Sequence, residues 1–217
     1  MSAADRLHLI RANIAKAAKL ARRDPAEVRL IAVSKTRSAG EIEALIAAGQ
    51  RDFGESRVQE ALAKWPALRE RHPDITLHAI GRLQSNKAAD AIRLFDVIHA
   101  LDRGSLLDAL VKEADQQGRH PIVYVQVNIG EETQKGGCAL GDVGALVAAV
   151  RSSPLPLAGL MAIPPLGVEP SPYFALLAEI ARRHGVTGLS MGMSADYQAA
   201  VMLGATAVRI GTALFED

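Results

Sequence analysis

The chain has 217 residues, a formal charge of +1, 49% hydrophobic and 23% charged residues. That size accommodates one compact domain, or at most two small ones, with a substantial core. The near-balanced charge excludes a nucleic-acid or membrane-surface protein held by bulk electrostatics. The single cysteine, Cys138, excludes an internal disulfide framework and fits a reducing, cytoplasmic compartment. Aromatics at 4% against abundant Ala, Leu, Val and Ile suit helices packed on a buried parallel sheet better than an all-β fold.

Charged residues recur from Asp5 to Asp24, which rules out a signal-peptide core there. Nowhere does the chain approach the roughly 20 apolar residues of a membrane span. An Arg-rich amphipathic start can mimic a transit peptide, but the acidic residues oppose that reading. Leu7, Ile10, Ile14, Ala17 and Ala21 instead share one helical face. Leu30–Val33 then reads as a short strand ending at Ser34 and Lys35. Ser38 with Glu41 makes a capping box for an Ala-rich helix stopped near Gly49. A brief strand around Phe53 follows, and Ser56 with Gln59 predicts a second capping box opening a helix to about Arg69.

Further strands are expected at Ile75–Ile80, Phe95–Ala100, Ile122–Val127, Leu155–Ile163, 188–190 and Thr206–Ile210. Helices are expected at 84–92, 103–116, 140–151 and 172–184, with a last one capped by Ser194 and ended by Gly204. The cadence is that of about eight strand–helix units, without a sequence repeat or a linker. It fits either an open doubly wound sheet or a closed (β/α)8 barrel, and eight units favour the barrel. No Gly-x-Gly-x-x-Gly follows the first strand, which disfavours a dinucleotide site. The amphipathic N-terminal helix is expected to cover the gap where a last outer helix would stand.

In either architecture ligands bind at the carboxyl ends of the strands. Lys35 is the sharpest candidate there. It directly follows an apolar strand, so its amine is expected to be desolvated and biased toward the neutral, nucleophilic form; a solvated rim lysine is the alternative. Ser190–Ser194 and Arg209–Thr212 offer hydroxyls, small residues and backbone N–H groups after the seventh and eighth strands, where barrels frequently hold phosphate. A strand-end lysine with such loops points to a phosphate-bearing aldehyde. No His/Cys/Asp cluster has metal-ligand spacing, and nothing near Cys138 marks it as a nucleophile.

Val33-Ser34-Lys35-Thr36, Phe53-Gly54-Glu55, His78-Ala79-Ile80-Gly81, Leu83-Gln84-Ser85-Asn86-Lys87, Gly159 to Pro164, Leu189 to Ser194 and Val208 to Thr212 together resemble the signature blocks of the pyridoxal phosphate homeostasis proteins. The likeness runs from about residue 7 to 215. It implies a single domain over 1–217, a TIM barrel like the N-terminal domain of alanine racemase with an extra N-terminal helix. It also implies pyridoxal 5′-phosphate (PLP) held as a Schiff base on Lys35. Ser190, Gly192, Met193 and Ser194, with Gly211 and Thr212, would surround the phosphate. Arg209 would stand near the pyridine nitrogen, and Met161 and Met193 would wall the pocket. His78 would either line the pocket or be a satisfied core histidine. Lys135, in a loop with Glu131 and Glu132, would be a second, exchangeable site or a solvated lysine.

Two positions depart from the family pattern. Ser56 stands where Asn is usual, and Ala79 where Phe is common. The function implied is holding, buffering or delivering PLP to PLP-dependent apoenzymes, as a monomer, without robust catalysis and without nucleic acid or membrane. The alternatives are a racemase-like PLP enzyme and a Schiff-base aldolase. A two-base racemase needs a second acid/base group, and the chain has no room for the extra β domain that alanine racemase carries.

Overall fold

Eight parallel strands close on themselves in sequence order: β1 (Arg29–Val33), β2 (Asp52–Glu55), β3 (Thr76–Ala79), β4 (Val97–Leu101), β5 (Ile122–Val127), β6 (Leu157–Ala162), β7 (Gly188–Ser190) and β8 (Ala207–Ile210). The closing seam pairs Ala32 of β1 with Ile210 of β8, while Ala32 also pairs with Phe53 of β2. The architecture is therefore the (β/α)8 barrel and not the open sheet. This computed structural model describes residues 1–216; Asp217, the last residue of the expected 1–217 domain, lies outside the described residues.

Around the barrel run α2 (Ala39–Ala47), α3 (Val58–Arg71), α4 (Ala88–Leu94), α5 (Gly104–Gln117), α6 (Val143–Arg151), α7 (Ser171–Arg183), α8 (Tyr197–Met202) and the one-turn α9 (Thr212–Phe215). Alternation along each strand sends one set of side chains outward to these helices. Leu30, Phe53, Leu77, Ile98, Val125 and Leu160 are buried there against residues such as Leu45, Trp65, Ile92 and Leu177. The other set faces the lumen. Its members include His78, His99, Ser190 and Arg209, which touch one another although they come from β3, β4, β7 and β8. Barrel interiors are ordinarily layered with branched apolar residues; this one carries a polar thread.

The N-terminal helix α1 (Ala3–Leu20) buries Leu7, Ile10, Ile14, Ala17 and Ala18. It packs on α2, α8 and α9, and so fills the place that the short α9 leaves open. Arg6 Nε donates to Leu214 O at 2.8 Å, and Arg23 Nη1 donates to Val201 O and Ala205 O at 2.9 Å, tying both ends of α1 to that side of the barrel. No described helix is long and apolar enough to cross a membrane.

Local signals hold unevenly. The Ser38–Glu41 capping box forms: Glu41 N–H donates to Ser38 Oγ at 3.3 Å and Ser38 N–H donates to Glu41 Oε2 at 2.8 Å. The box expected at Ser56 does not. α3 begins only at Val58, with Arg57 at its N-cap position and no side-chain cap. The Ser56 backbone is instead pressed against Gly81, where an added Cβ would come within 2.2 Å of Ser56 O. Ser194 caps no helix either, because Asp196 holds the N-cap position of α8. The sixth strand starts at Leu157 rather than Leu155, since Pro156 has no N–H for the ladder. A 3-10 turn at Ser85–Lys87 precedes α4.

Because α1 closes the barrel wall through apolar contacts, Ile10→Ala is expected to cost about 2–5 kcal/mol in guanidinium unfolding. Leu9→Ala, at a position 50% exposed on the opposite face, is expected to stay within about 0.5 kcal/mol.

Candidate cofactor site

Parallel strands put all eight carboxyl ends, and the loops that leave them, at one mouth of the barrel. Lys35 leaves β1 there. Its neighbour Ser34 is buried and firmly held: Ser34 N–H donates to Gly54 O at 2.9 Å, and Ser34 Oγ donates to Glu55 Oε1 at 2.7 Å. Glu55 Oε1 also accepts from Trp65 Nε1 at 2.9 Å and pairs with Lys64 Nζ at 2.8 Å, while its Oε2 is buried without a partner. Lys64 Nζ reaches on to Ser34 O at 2.8 Å. Thr36 then turns the chain at φ 62°. The segment carrying Lys35 is thus braced from beneath by a buried carboxylate–ammonium pair.

Lys35 itself is exposed, and its amine has no hydrogen bond or ion pair among the described residues. The burial expected from its place after an apolar strand is not there: β1 ends at Val33, two residues before Lys35, and Ser34 between them takes the buried position.

The loops after β7 and β8 stand beside this segment. Gly211 lies against Val33, with an added Cβ 3.4 Å from Val33 Cβ. Gly211 N–H donates to Ser194 Oγ at 3.3 Å, and Arg209 N–H donates to Gly192 O at 3.0 Å, so the two loops are tied together. Gly192 adopts φ +94°, and a Cβ there would meet Ala200 Cβ at 2.6 Å, so glycine is required. Met193 N–H donates to Asp196 Oδ1 at 2.6 Å. The N–H of Ser194 has no partner among the described residues, and Thr212 and Ala213 open the one-turn α9 beside it. Two adjacent loops therefore bring backbone N–H groups together at this mouth, as phosphate-binding loops do.

Arg209 is buried below these loops. Its Nη1 donates to Ser190 Oγ at 2.6 Å and its Nη2 to Ala162 O at 3.0 Å. Burial pushes its pKa down to about 10, with Asp196 acting weakly the other way; the group stays charged at neutral pH. Ser190 Oγ also bonds His99 Nδ1 at 2.9 Å, so it works inside the lumen. Both ring nitrogens of His78 are engaged, by Asp52 and by His99, which is the core-histidine alternative. Met161 is fully buried and Met193 is 36% exposed.

The expected residues thus fall into two groups. Lys35, Gly192, Met193, Ser194, Gly211 and Thr212 lie at the mouth; Ser190, Arg209, Met161 and His78 lie in the lumen. Lys135 is paired with Glu132 and donates to Pro164 O at 3.1 Å. Cys138 is buried, and burial pushes its thiol up to about 12. His99 escaped the sequence reading. It sits inside the apolar run Phe95–Ala100, and its only signal is a polar residue in a strand without exposed positions.

The family description "Alanine racemase, N-terminal domain" matches residues 6–217. The chain is 43% identical to the "Pyridoxal phosphate homeostasis protein" of Pseudomonas aeruginosa, over 98% of this chain and 94% of that one. It is 38% identical to the Escherichia coli protein of that name, over 98% and 95%. Among solved structures it resembles PipY of Synechococcus elongatus without PLP, with TM-score 0.85, 40% identity and coverage of 98% and 99%. It also resembles PipY with PLP bound, with TM-score 0.80, 41% identity and coverage of 93% and 99%. An alanine racemase of Clostridium difficile shares the fold at TM-score 0.71 and 14% identity, this chain spanning 56% of that one.

Desolvation lowers the pKa of both lumen histidines below the ordinary 6.5; for His78 it outweighs the hydrogen bond and charge of Asp52, and for His99 the neighbouring His78 and Arg209 add to it. The folded state keeps both rings neutral while the unfolded chain takes up protons as pH drops below 6.5. The stability they contribute is therefore complete above that value and lost below it. The thermal unfolding midpoint is expected to decline from about pH 7 to about pH 5; a midpoint flat over that interval contradicts the buried neutral pair.

Proposed function

Since the chain belongs to the pyridoxal phosphate homeostasis proteins, within the family described as alanine racemase N-terminal domain, we propose that it binds PLP at this mouth and holds, buffers or delivers it without robust catalysis of its own. The observation that carries the reading is the convergence of an unpartnered amine, a fixed buried guanidinium and backbone N–H groups on two joined loops.

When bound, PLP supplies an aldehyde that condenses with an amine and a ring that draws electrons. Lys35 is the amine that would hold the aldehyde. Its exposure leaves it accessible to an incoming or departing cofactor, and the Glu55–Lys64 brace fixes where it stands. Ser194, Thr212 and Ala213 would hold the phosphate through backbone N–H groups, with the Ser194 and Thr212 hydroxyls beside them, and Gly192 and Gly211 would let the chain approach closely. Arg209 would face the ring nitrogen. A permanent cation there disfavours a proton on that nitrogen and leaves the ring a weaker electron sink, which suits holding over carbanion chemistry.

The racemase alternative needs a second acid/base side chain at the mouth. The three tyrosines are committed elsewhere. Tyr124 stacks on His99 in the lumen, Tyr173 is partly buried on α7, and Tyr197 OH accepts from Asn13 Nδ2 at 3.1 Å. In this reading the chain works as a cytoplasmic monomer that passes PLP to apoenzymes.

Borohydride treatment of the PLP-loaded protein is expected to fix the cofactor on the peptide containing Lys35, and Lys35→Ala to abolish the label. An equal label on Lys35→Ala overturns the assignment. Ser194→Ala is expected to weaken PLP binding about tenfold by removing one hydrogen bond to an anion. Alanine racemisation at about 1 s⁻¹ or faster, an ordinary enzymatic rate, contradicts the non-catalytic reading.

A further inference from the structure

A continuous hydrogen-bonded thread crosses the barrel from one end to the other. Arg209 Nη1 meets Ser190 Oγ at 2.6 Å. Ser190 Oγ meets His99 Nδ1 at 2.9 Å, His99 Nε2 meets His78 Nδ1 at 3.0 Å, and His78 Nε2 meets Asp52 Oδ1 at 3.0 Å. Arg209, Ser190, His99 and His78 are all buried. Asp52 opens β2 at the far end, beside Arg29 and Arg51 on the wall of a cavity of about 570 Å³.

The two ends fix the direction of every bond between them. A guanidinium only donates and a carboxylate only accepts. Ser190 therefore accepts from Arg209 and turns its own proton to His99 Nδ1. His99 then carries its proton on Nε2 and gives it to His78 Nδ1, and His78 in turn donates from Nε2 to Asp52. All atoms are satisfied with both imidazoles neutral. Tyr124 stacks on His99 at 4.4 Å and 9° and sets its plane.

We propose that Asp52 is a positioning residue for the cofactor site: through His78, His99 and Ser190 it fixes the orientation of the Arg209 guanidinium at the opposite mouth. The charged groups facing the thread are Arg29 from β1, Asp52 from β2, Asp96 ahead of β4 and Arg209 from β8. Burial favours the neutral rings that the direction requires. Without the terminal acceptor, His78 is free to take the other tautomer and His99 follows; Ser190 Oγ then accepts from both His99 and Arg209, and its own proton loses the acceptor that fixed the hydroxyl under the guanidinium. The role given to Arg209 here rests on the PLP reading above.

The test has two arms. In ligand-free protein, ¹⁵N NMR of the histidine side chains at about pH 7 is expected to show both lumen rings neutral with the proton on Nε2. A proton on Nδ1 of either ring, or a charged ring, overturns the proposal. In PLP-loaded protein, Asp52→Leu and Ser190→Ala are each expected to shift the visible absorption band the same way and to weaken PLP binding about three- to tenfold. The double variant is expected to do no more than either alone, and Asp52→Asn, which keeps an acceptor oxygen, to recover most of the wild-type band. Bands unchanged in Asp52→Leu, or effects that add in the double variant, overturn the relay. A wild-type protein that borohydride does not label at Lys35 instead overturns the PLP reading and leaves the NMR arm to decide the thread.

Discussion

A charged guanidinium lies inside this barrel with no carboxylate in contact with it among the described residues, and much of the molecule answers to that constraint. An isolated buried charge is costly unless hydrogen bonds take its place in water. Arg209 is given two acceptors, Ser190 Oγ and Ala162 O, and its remaining donors are left for something else. Ser190 in turn needs an acceptor for its proton, which draws His99 into the lumen, and His99 draws in His78 and Asp52. The polar thread is the consequence of placing one arginine on the inner face of β8. The fold tolerates it because its apolar burial lies mainly between the strands and the surrounding helices, with α1 completing that wall.

In the proposed function the same constraint favours holding over catalysis. Facing a pyridine nitrogen, as proposed, a buried cation would keep that nitrogen unprotonated, and an unprotonated ring stabilises carbanions poorly. Lys35 stands exposed on a braced segment, which in the proposed function lets a cofactor be taken up and given away. The Glu55–Lys64 pair, the Trp65 donor and the left-handed Thr36 hold the segment still while leaving its amine free. The alanine racemases share the fold, but this chain spans about half of the one compared, and its tyrosines are occupied in packing and hydrogen bonds.

What could be read from the sequence was what depends on spacing. Eight apolar runs at steady intervals specify a barrel, and the Leu7–Ile10–Ile14 stripe specifies a covering helix. What could not be read depends on neighbours distant in sequence. Ser56 and Ser194 looked like helix caps by local pattern. Packing against Gly81 displaced the first, and the tie from Gly211 to Ser194 engaged the second. Lys35 looked desolvated because it follows an apolar strand, yet Ser34 takes the buried position. His99 was invisible because a histidine in an apolar strand shows no partner until β4 is set beside β3 and β7; the register shift between Ile98 and Leu101 falls on its segment.

The central claim is that Arg209, held from below by the thread, faces the ring nitrogen of PLP bound at Lys35. The ¹⁵N resonance of PLP labelled at that nitrogen, recorded on the loaded protein near neutral pH, tests it most directly. The account predicts the shift of an unprotonated, hydrogen-bond-accepting pyridine nitrogen, moved by Ser190→Ala. A protonated pyridinium shift in the wild-type protein contradicts it.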